Sequence, residues 1–296
     1  MSGFDVAGKT VFITGGARGI GAAAAERLYA KGANVALVGL EPERLAENAE
    51  RLGARAAWFE VDVTDFEALQ ETVARTVARF GGIDVAIANA GIAFEGTLAS
   101  APIEHVERTL AVNLLGVWRT DRAVIGEIAK RHGYLLNISS LSAITHAPMM
   151  GPYTAAKAGV EALTDTLRME TAPSGAMVGC AYFGFLDTDL VKASFARPSA
   201  EAMTGQMPGF LRNPAPVSKA IDAIERGIER RSARVWAPRW IGPMIALRGI
   251  LQPLIERRTL SRLDHLREAV RVAEQTDYSD GADPLLGVAA RALDPK

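Results

Sequence analysis

The chain has 296 residues, 49% of them hydrophobic and 23% charged, with a formal net charge of −1. That composition is globular, the length allows a sizeable core, and the charge excludes a protein that binds polyanions by bulk electrostatics. Cys180 is the only cysteine, which excludes an internal disulfide and a cysteine-rich metal site and points to a reducing compartment.

In chain order, residues 9–14 (KTVFIT) read as a buried strand bounded by glycines, and GIGAAAAERLYAKG reads as a helix ending at Gly32. NVALVGL is a second strand. PERLAENAERLG is a helix with Pro42 at its start and Gly53 after it. RAAWFEV is a third strand, followed by a helix with Asp65 as N-cap. IDVAIAN is a fourth strand, one long helix covers roughly 103–131, and GYLLNIS is a fifth strand. A helix covers 152–172 with Pro152 in its first turn, and AMVGCAYF is a sixth strand. ARVWAP reads as a last one. Apolar strands alternating with helices imply a parallel sheet covered on both faces, the α/β doubly wound Rossmann arrangement. No tandem repeat, low-complexity segment or metal-ligand cluster is evident.

The first strand runs directly into TGGARGIG, residues 14–21. Glycine serves where a backbone turns tightly and a phosphate must come close, and the following helix aims its free N–H groups at that phosphate. A glycine-rich octet alone is weak evidence, with a structural turn as the alternative. Its place between a strand and a helix is the context that supports dinucleotide binding.

The segment YTAAK puts Tyr153 and Lys157 on one helical face. A free phenol is too weakly acidic to act as a base near pH 7. An ammonium ~4 Å away contributes on the order of 4 kcal/mol at an effective dielectric of about 20, enough to acidify it for general acid–base work. The dull readings are a helix-start aromatic and a solvated charge.

Gly15, Gly19 and Gly21 are spaced G-x-x-x-G-x-G, DVTD stands at 62–65, NAG at 89–91, NISS ends the fifth strand, and YTAAK follows. In this order, on these elements and over about residues 5–190, the chain resembles the short-chain dehydrogenase/reductase family. The resemblance implies an NAD(P)-dependent oxidoreductase interconverting an alcohol and a ketone or aldehyde. Tyr153 would be its general acid and base, Ser140 would hold the substrate oxygen (Ser139 is the alternative), and Lys157 would also bind the nicotinamide ribose. Asn113, in the apolar stretch LAVNLLGV, would hold a water linked to Lys157; a helix kink or an interhelical hydrogen bond is its alternative. The cofactor would lie on Gly15, Ala17, Arg18, Gly19, Ile20 and Gly21, on Gly39 and Leu40, and on Asp62 and Val63. It would continue over Asn89, Ala90 and Gly91, Tyr153 and Lys157, and Gly184, Leu186 and Thr188.

Two departures matter. Gly39 stands where NAD users of the family place an acid, Leu40 stands where many NADP users carry an arginine, and Glu41, which follows, is a candidate to reach the ribose. Arg18 offers a pair for a 2′-phosphate, so NAD or NADP stays open with an inclination to NADP. FGFLDT puts Phe183 in place of the family's proline and keeps Gly184 and Thr188.

Met149, Met150, Phe94, Phe185 and Phe195 point to an apolar pocket for a hydrophobic alcohol or ketone, with packing alone as the alternative. His146 and Glu95 are candidates for a polar end of that substrate. The domain boundaries expected are 1–237 for the Rossmann-fold catalytic domain, with a lid at about 189–232, and 238–296 for a helical C-terminal extension. Residues 212–262 carry eleven Lys or Arg against four Asp or Glu. Contact with an anionic membrane is one reading of that excess, and a lid helix with a subunit contact is the favoured one. A homodimer or homotetramer is expected and a nucleic-acid partner is not. No basic-then-apolar leader opens the sequence, and WIGPMIALRGILQPLI is interrupted by Pro243, Arg248 and Pro253, so a cytoplasmic protein is expected. The competing functions are a non-catalytic dinucleotide sensor or scaffold and a membrane-docked lipid-binding protein.

Overall fold

The computed structural model describes residues 3–94, 96–195 and 213–275; Glu95 and the middle of the expected lid lie outside them. The elements are β1 (Thr10–Thr14), α1 (Gly19–Ala30), β2 (Asn34–Gly39), α2 (Pro42–Leu52), β3 (Ala56–Glu60), α3 (Phe66–Phe80), β4 (Val85–Ala88), α4 (Ile103–Leu110) and α5 (Gly116–Lys130). They continue with β5 (Tyr134–Ile138), α6 (Gly151–Thr171), β6 (Met177–Phe183), α7 (Asp189–Phe195), α8 (Ser218–Arg230), β7 (Arg234–Ala237), α9 (Ile241–Leu260) and α10 (Leu263–Glu274). The strands form one parallel seven-stranded sheet in the order β3-β2-β1-β4-β5-β6-β7.

Residues one apart on a strand face opposite sides of the sheet. Ile13, Leu37, Ile87 and Leu136 pack with Leu28 of α1 and with Ile221, Ile224 and Ile228 of α8. Phe12, Ala36, Val38 and Leu135 pack on the other side with Leu69 and Val73 of α3 and with Val124 and Ile128 of α5. Each fully buried Leu, Ile or Phe contributes roughly 1.5–3 kcal/mol. Both faces are therefore covered, which is why the strands are apolar throughout. Helix ends follow local chemistry: Asp65 Oδ1 accepts from Ala68 N at 3.0 Å at the start of α3, and Gly81 ends it in the left-handed conformation at φ 83°.

Three regions differ from the expectation. The single helix expected over 103–131 is interrupted by a π-helical turn at Ala111–Leu115. The wider turn carries Asn113, which is fully buried and bonds back to the segment after β4. Ser218–Arg230, inside the range expected as lid, covers the sheet through Ala220, Ile221, Ala223, Ile224 and Ile228. The C-terminal helix α9 does not stand apart from the Rossmann core. Its Ile241 and Ile245 share one cluster with Leu141, Ile144, Cys180 and Tyr182. Among the described residues no helix is long and apolar enough to cross a membrane.

Candidate active site

The sheet order reverses between β1 and β4, and a crevice opens there at the carboxyl ends of the strands. A cavity of about 770 Å³ occupies it, bordered by the residues that follow each of the first six strands.

After β1 the chain turns through Gly15 at φ +66°. A Cβ there would stand 2.8 Å from Asn89 Nδ2, and one at Gly21 would also strike Asn89 Nδ2 at 2.8 Å. These two glycines let the loop, β4 and α1 close on one another. Asn89 fastens that junction by donating to the carbonyls of Thr14 and Gly15 at 3.0 and 3.2 Å. Helix α1 starts with no side-chain cap and no acidic residue in its first turn, so its free N–H groups and positive dipole end suit an anion. A Cβ on Gly19 would come no nearer than 3.9 Å to Thr188 Cγ2, so the space before the loop is open. These features fit the pyrophosphate of a dinucleotide.

At the end of β2, Glu41 holds two guanidiniums, Arg18 at 3.0 Å and Arg44 at 3.3 Å. At the end of β3, Asp62 accepts from Arg108 Nη2 at 2.8 Å and from Thr64 N at 2.8 Å. Burial opposes ionisation of Asp62, yet the Arg108 and Thr64 bonds hold its carboxyl below the ordinary range.

On the far side, α6 brings Tyr153 and Lys157 to the cavity, and the turn after β5 brings Ser140. Pro152, in the first turn of α6, needs no N–H there. Ser140 accepts from Ser142 N at 3.1 Å, and its hydroxyl favours the ionised form of the Tyr153 phenol. Ser139 is engaged elsewhere, donating to the Lys157 carbonyl at 2.9 Å from a buried position. Lys157 is 3% exposed. Its Nζ donates to the Ile138 carbonyl at 2.9 Å and lies 5.7 Å from the Tyr153 ring centroid. Burial lowers the Lys157 pKa to about 8.

The acidified phenol expected from the Tyr–Lys pair is not a property of the polypeptide alone. Burial pushes Tyr153 above its ordinary value, and the Ser140 hydroxyl opposes this only in part. The ammonium lies over the ring and is directed to a backbone carbonyl, so it does not offset that burial.

Asn113 does not border the cavity. It is clamped to Ile92, accepting from Ile92 N at 2.8 Å and donating to Ile92 O at 2.6 Å. A Cβ on Gly91 would stand 3.0 Å from Asn113 Oδ1 and 3.8 Å from Lys157 Nζ, so the amide and the ammonium flank one small space. Gly21 also stays behind the loop. The other expected contacts border the cavity: Ala17, Arg18, Gly19, Ile20, Gly39, Leu40, Asp62, Val63, Asn89, Ala90, Gly91, Gly184, Leu186 and Thr188.

Of the expected apolar lining, Met150 and Phe185 border the cavity, and Phe195 packs on Phe185 at 5.0 Å between ring centroids. Phe94 is buried against His105, and Met149 packs under α10 with Ala269 and Ala273. Both sit where core contacts, rather than the cavity, take up their apolar surface. Sequence reasoning missed Arg108 and the wall formed by Met244, Leu251, Ile255, Arg258 and Arg262. The spacing of 251, 255, 258 and 262 is the signal that one helical face lines a site.

This crevice and its loop define a doubly wound dinucleotide-binding protein. A family model described as short chain dehydrogenase matches residues 9–199. The 3beta-hydroxysteroid dehydrogenase 1 of Eggerthella lenta is 34% identical, over 73% of this chain and 86% of its own. The trans-4-hydroxycyclohexanecarboxylate dehydrogenase of Sinomonas cyclohexanicum is 33% identical over 62% of this chain and 75% of its own. The X-ray structure of an alcohol dehydrogenase from the archaeon Thermococcus sibiricus, complexed with 5-hydroxy-NADP, matches with a TM-score of 0.59 and 32% identity over 61% of this chain and 77% of that one. The chain belongs to the short-chain dehydrogenase family, and it is an oxidoreductase of the NAD(P) class.

Proposed function

We propose that this enzyme interconverts a hydrophobic secondary alcohol and its ketone, with Tyr153 as the proton-transfer group. The observation that carries the reading is the convergence of Ser140, Tyr153 and Lys157 on one cavity, across from the glycine loop. A bound nicotinamide supplies or accepts the hydride. In reduction Tyr153, which burial keeps protonated, donates its proton to the carbonyl oxygen. The Ser140 hydroxyl steadies the charge developing on that oxygen. Lys157 supplies a buried positive charge beneath the phenol and binds the ribose, and in oxidation this charge favours the phenolate. Asn113 fixes Ile92 and, with Lys157, borders the small space through which a water would return protons to the ammonium.

Ring alcohols with an apolar body suit the cavity, in line with the hydroxysteroid and the hydroxycyclohexanecarboxylate in the names of two relatives. For the cofactor we propose NADP. Arg18 borders the cavity beside Glu41, and with Arg44 it outweighs the single carboxylate that both now hold, so a 2′-phosphate would compete with Glu41 for the Arg18 guanidinium. A homo-oligomer is supported by Leu115, Trp118, Leu163 and Met169, all at least 36% exposed along α5, α6 and the turn before α5.

The test is a 340 nm assay of NADPH and NADH against hydrophobic ketones and alcohols. Turnover that prefers NADPH and is lost in Tyr153→Phe is expected. Undiminished turnover in that variant overturns the mechanism.

A further inference from the structure

The cavity wall supplied by the C-terminal helices changes character along its length. Leu251 and Ile255 border it, then Arg258 and Arg262, and His265 returns from α10. At ~1.5 Å per residue, Arg258 stands roughly 10 Å beyond Leu251 along the helix. The start of α9 is fixed, because Ile241 and Ile245 pack with Leu141 and Ile144 just after Ser140. Further along, Gln252 Oε1 accepts from His146 N at 2.8 Å. The apolar stretch of this wall therefore runs beside the loop that follows Ser140, and the cations come after it.

Other charged groups bordering the cavity are paired or belong elsewhere. Glu41 holds Arg18, Asp62 holds Arg108, Lys157 is buried beside Tyr153, and Asp189 is on α7. Among the described residues, the Arg258 and His265 side chains have no hydrogen-bond or ion-pair partner. This stretch also lies beyond residues 9–199, which the family model covers.

A guanidinium without a carboxylate on a cavity wall is a recognition group for an anion, with a planar fork suited to a carboxylate. We infer that Arg258, with Arg262 and His265 beside it, binds an anionic group at the far end of the substrate. The substrate is then an amphipathic molecule. Its reacting carbon lies at Ser140 and Tyr153, its apolar body along Leu251 and Ile255, and its carboxylate at Arg258. The inference rests on the reading above only for which end reacts, since binding of an anionic amphiphile can be measured without turnover.

The experiment is calorimetric titration of the full chain, saturated with whichever dinucleotide binds more tightly, using decanoate and decan-1-ol. Decanoate is expected to bind at least roughly tenfold more tightly, about 1.4 kcal/mol. Arg258→Ala should abolish that preference while leaving decan-1-ol and dinucleotide affinities within about twofold, and Arg258→Lys should restore part of it. Failure of decanoate to bind, equal affinity for the two probes, or unchanged decanoate binding in Arg258→Ala overturns the proposal. Lost dinucleotide affinity in that variant also overturns it, because the cation then serves the cofactor's phosphates. Decanoate binding as expected, together with no turnover of any ketone, leaves this site standing and removes the catalytic reading.

Discussion

Arg248 of α9 reaches Glu161 of α6, one helical turn beyond Lys157, and donates to both carboxylate oxygens at 2.8 and 2.9 Å. The Glu161 side chain is 8% exposed and that of Arg248 is 50% exposed. The Tyr182 hydroxyl also donates to Glu161, at 2.9 Å. In Arg248→Ala the carboxylate keeps one hydrogen bond and loses its counter-charge. Breaking a fully buried pair costs about 3–5 kcal/mol, and an exposed pair is worth about 0–1 kcal/mol. A half-exposed arginine leaves a path for water, so we expect a loss of about 1–2 kcal/mol in urea unfolding. The double variant Glu161→Gln/Arg248→Met, which leaves no uncompensated charge, should lie closer to wild type. Because α9 forms a cavity wall, KM should rise in Arg248→Ala with kcat nearly unchanged. A stability change below about 0.3 kcal/mol, within the range of ordinary surface substitutions, or a fall in kcat at constant KM, would refute the reasoning.

Two further predictions concern single groups. Asp121 is buried beside Asn137, and burial raises its pKa from 3.8 to about 8. The folded state therefore binds this proton more tightly than the unfolded chain does. The stability it contributes is complete below about pH 4 and is lost as pH rises toward 8, by up to about 1.4 kcal/mol per pH unit. Asp121→Asn should gain stability relative to wild type between pH 5 and 8 in urea titrations, and a difference that does not change with pH would contradict this. Ser140→Ala should lower kcat by about 10²–10³-fold at unchanged melting temperature; activity within about threefold of wild type would remove Ser140 from the chemistry.

The sheet was legible because strands buried on both faces are apolar at every position, and because Gly32, Gly53 and Asp65 mark helix ends by local chemistry. The glycine loop was legible from its place between β1 and α1. The π turn was not, since it depends on the long-range bonds between Asn113 and Ile92. The sheet-covering role of α8 was obscured by the prolines that precede it. On α9 the exposed Leu247, Ile250 and Leu254 accompany the inward Leu251 and Ile255, so apolarity alone did not separate the inner face from the outer one. The environment of Tyr153 is a balance between burial and charge, and spacing in the sequence reports only that the charge is near.

The pH profile of alcohol oxidation, measured with saturating cofactor in wild type and in Lys157→Met, tests the central claim most directly. Oxidation needs the phenolate, so the rate rises with pH through the ionisation of Tyr153. Removing the buried ammonium should move that limb to higher pH. A limb at the same pH in both proteins would contradict the account, because the proton-transfer group would then titrate without sensing Lys157.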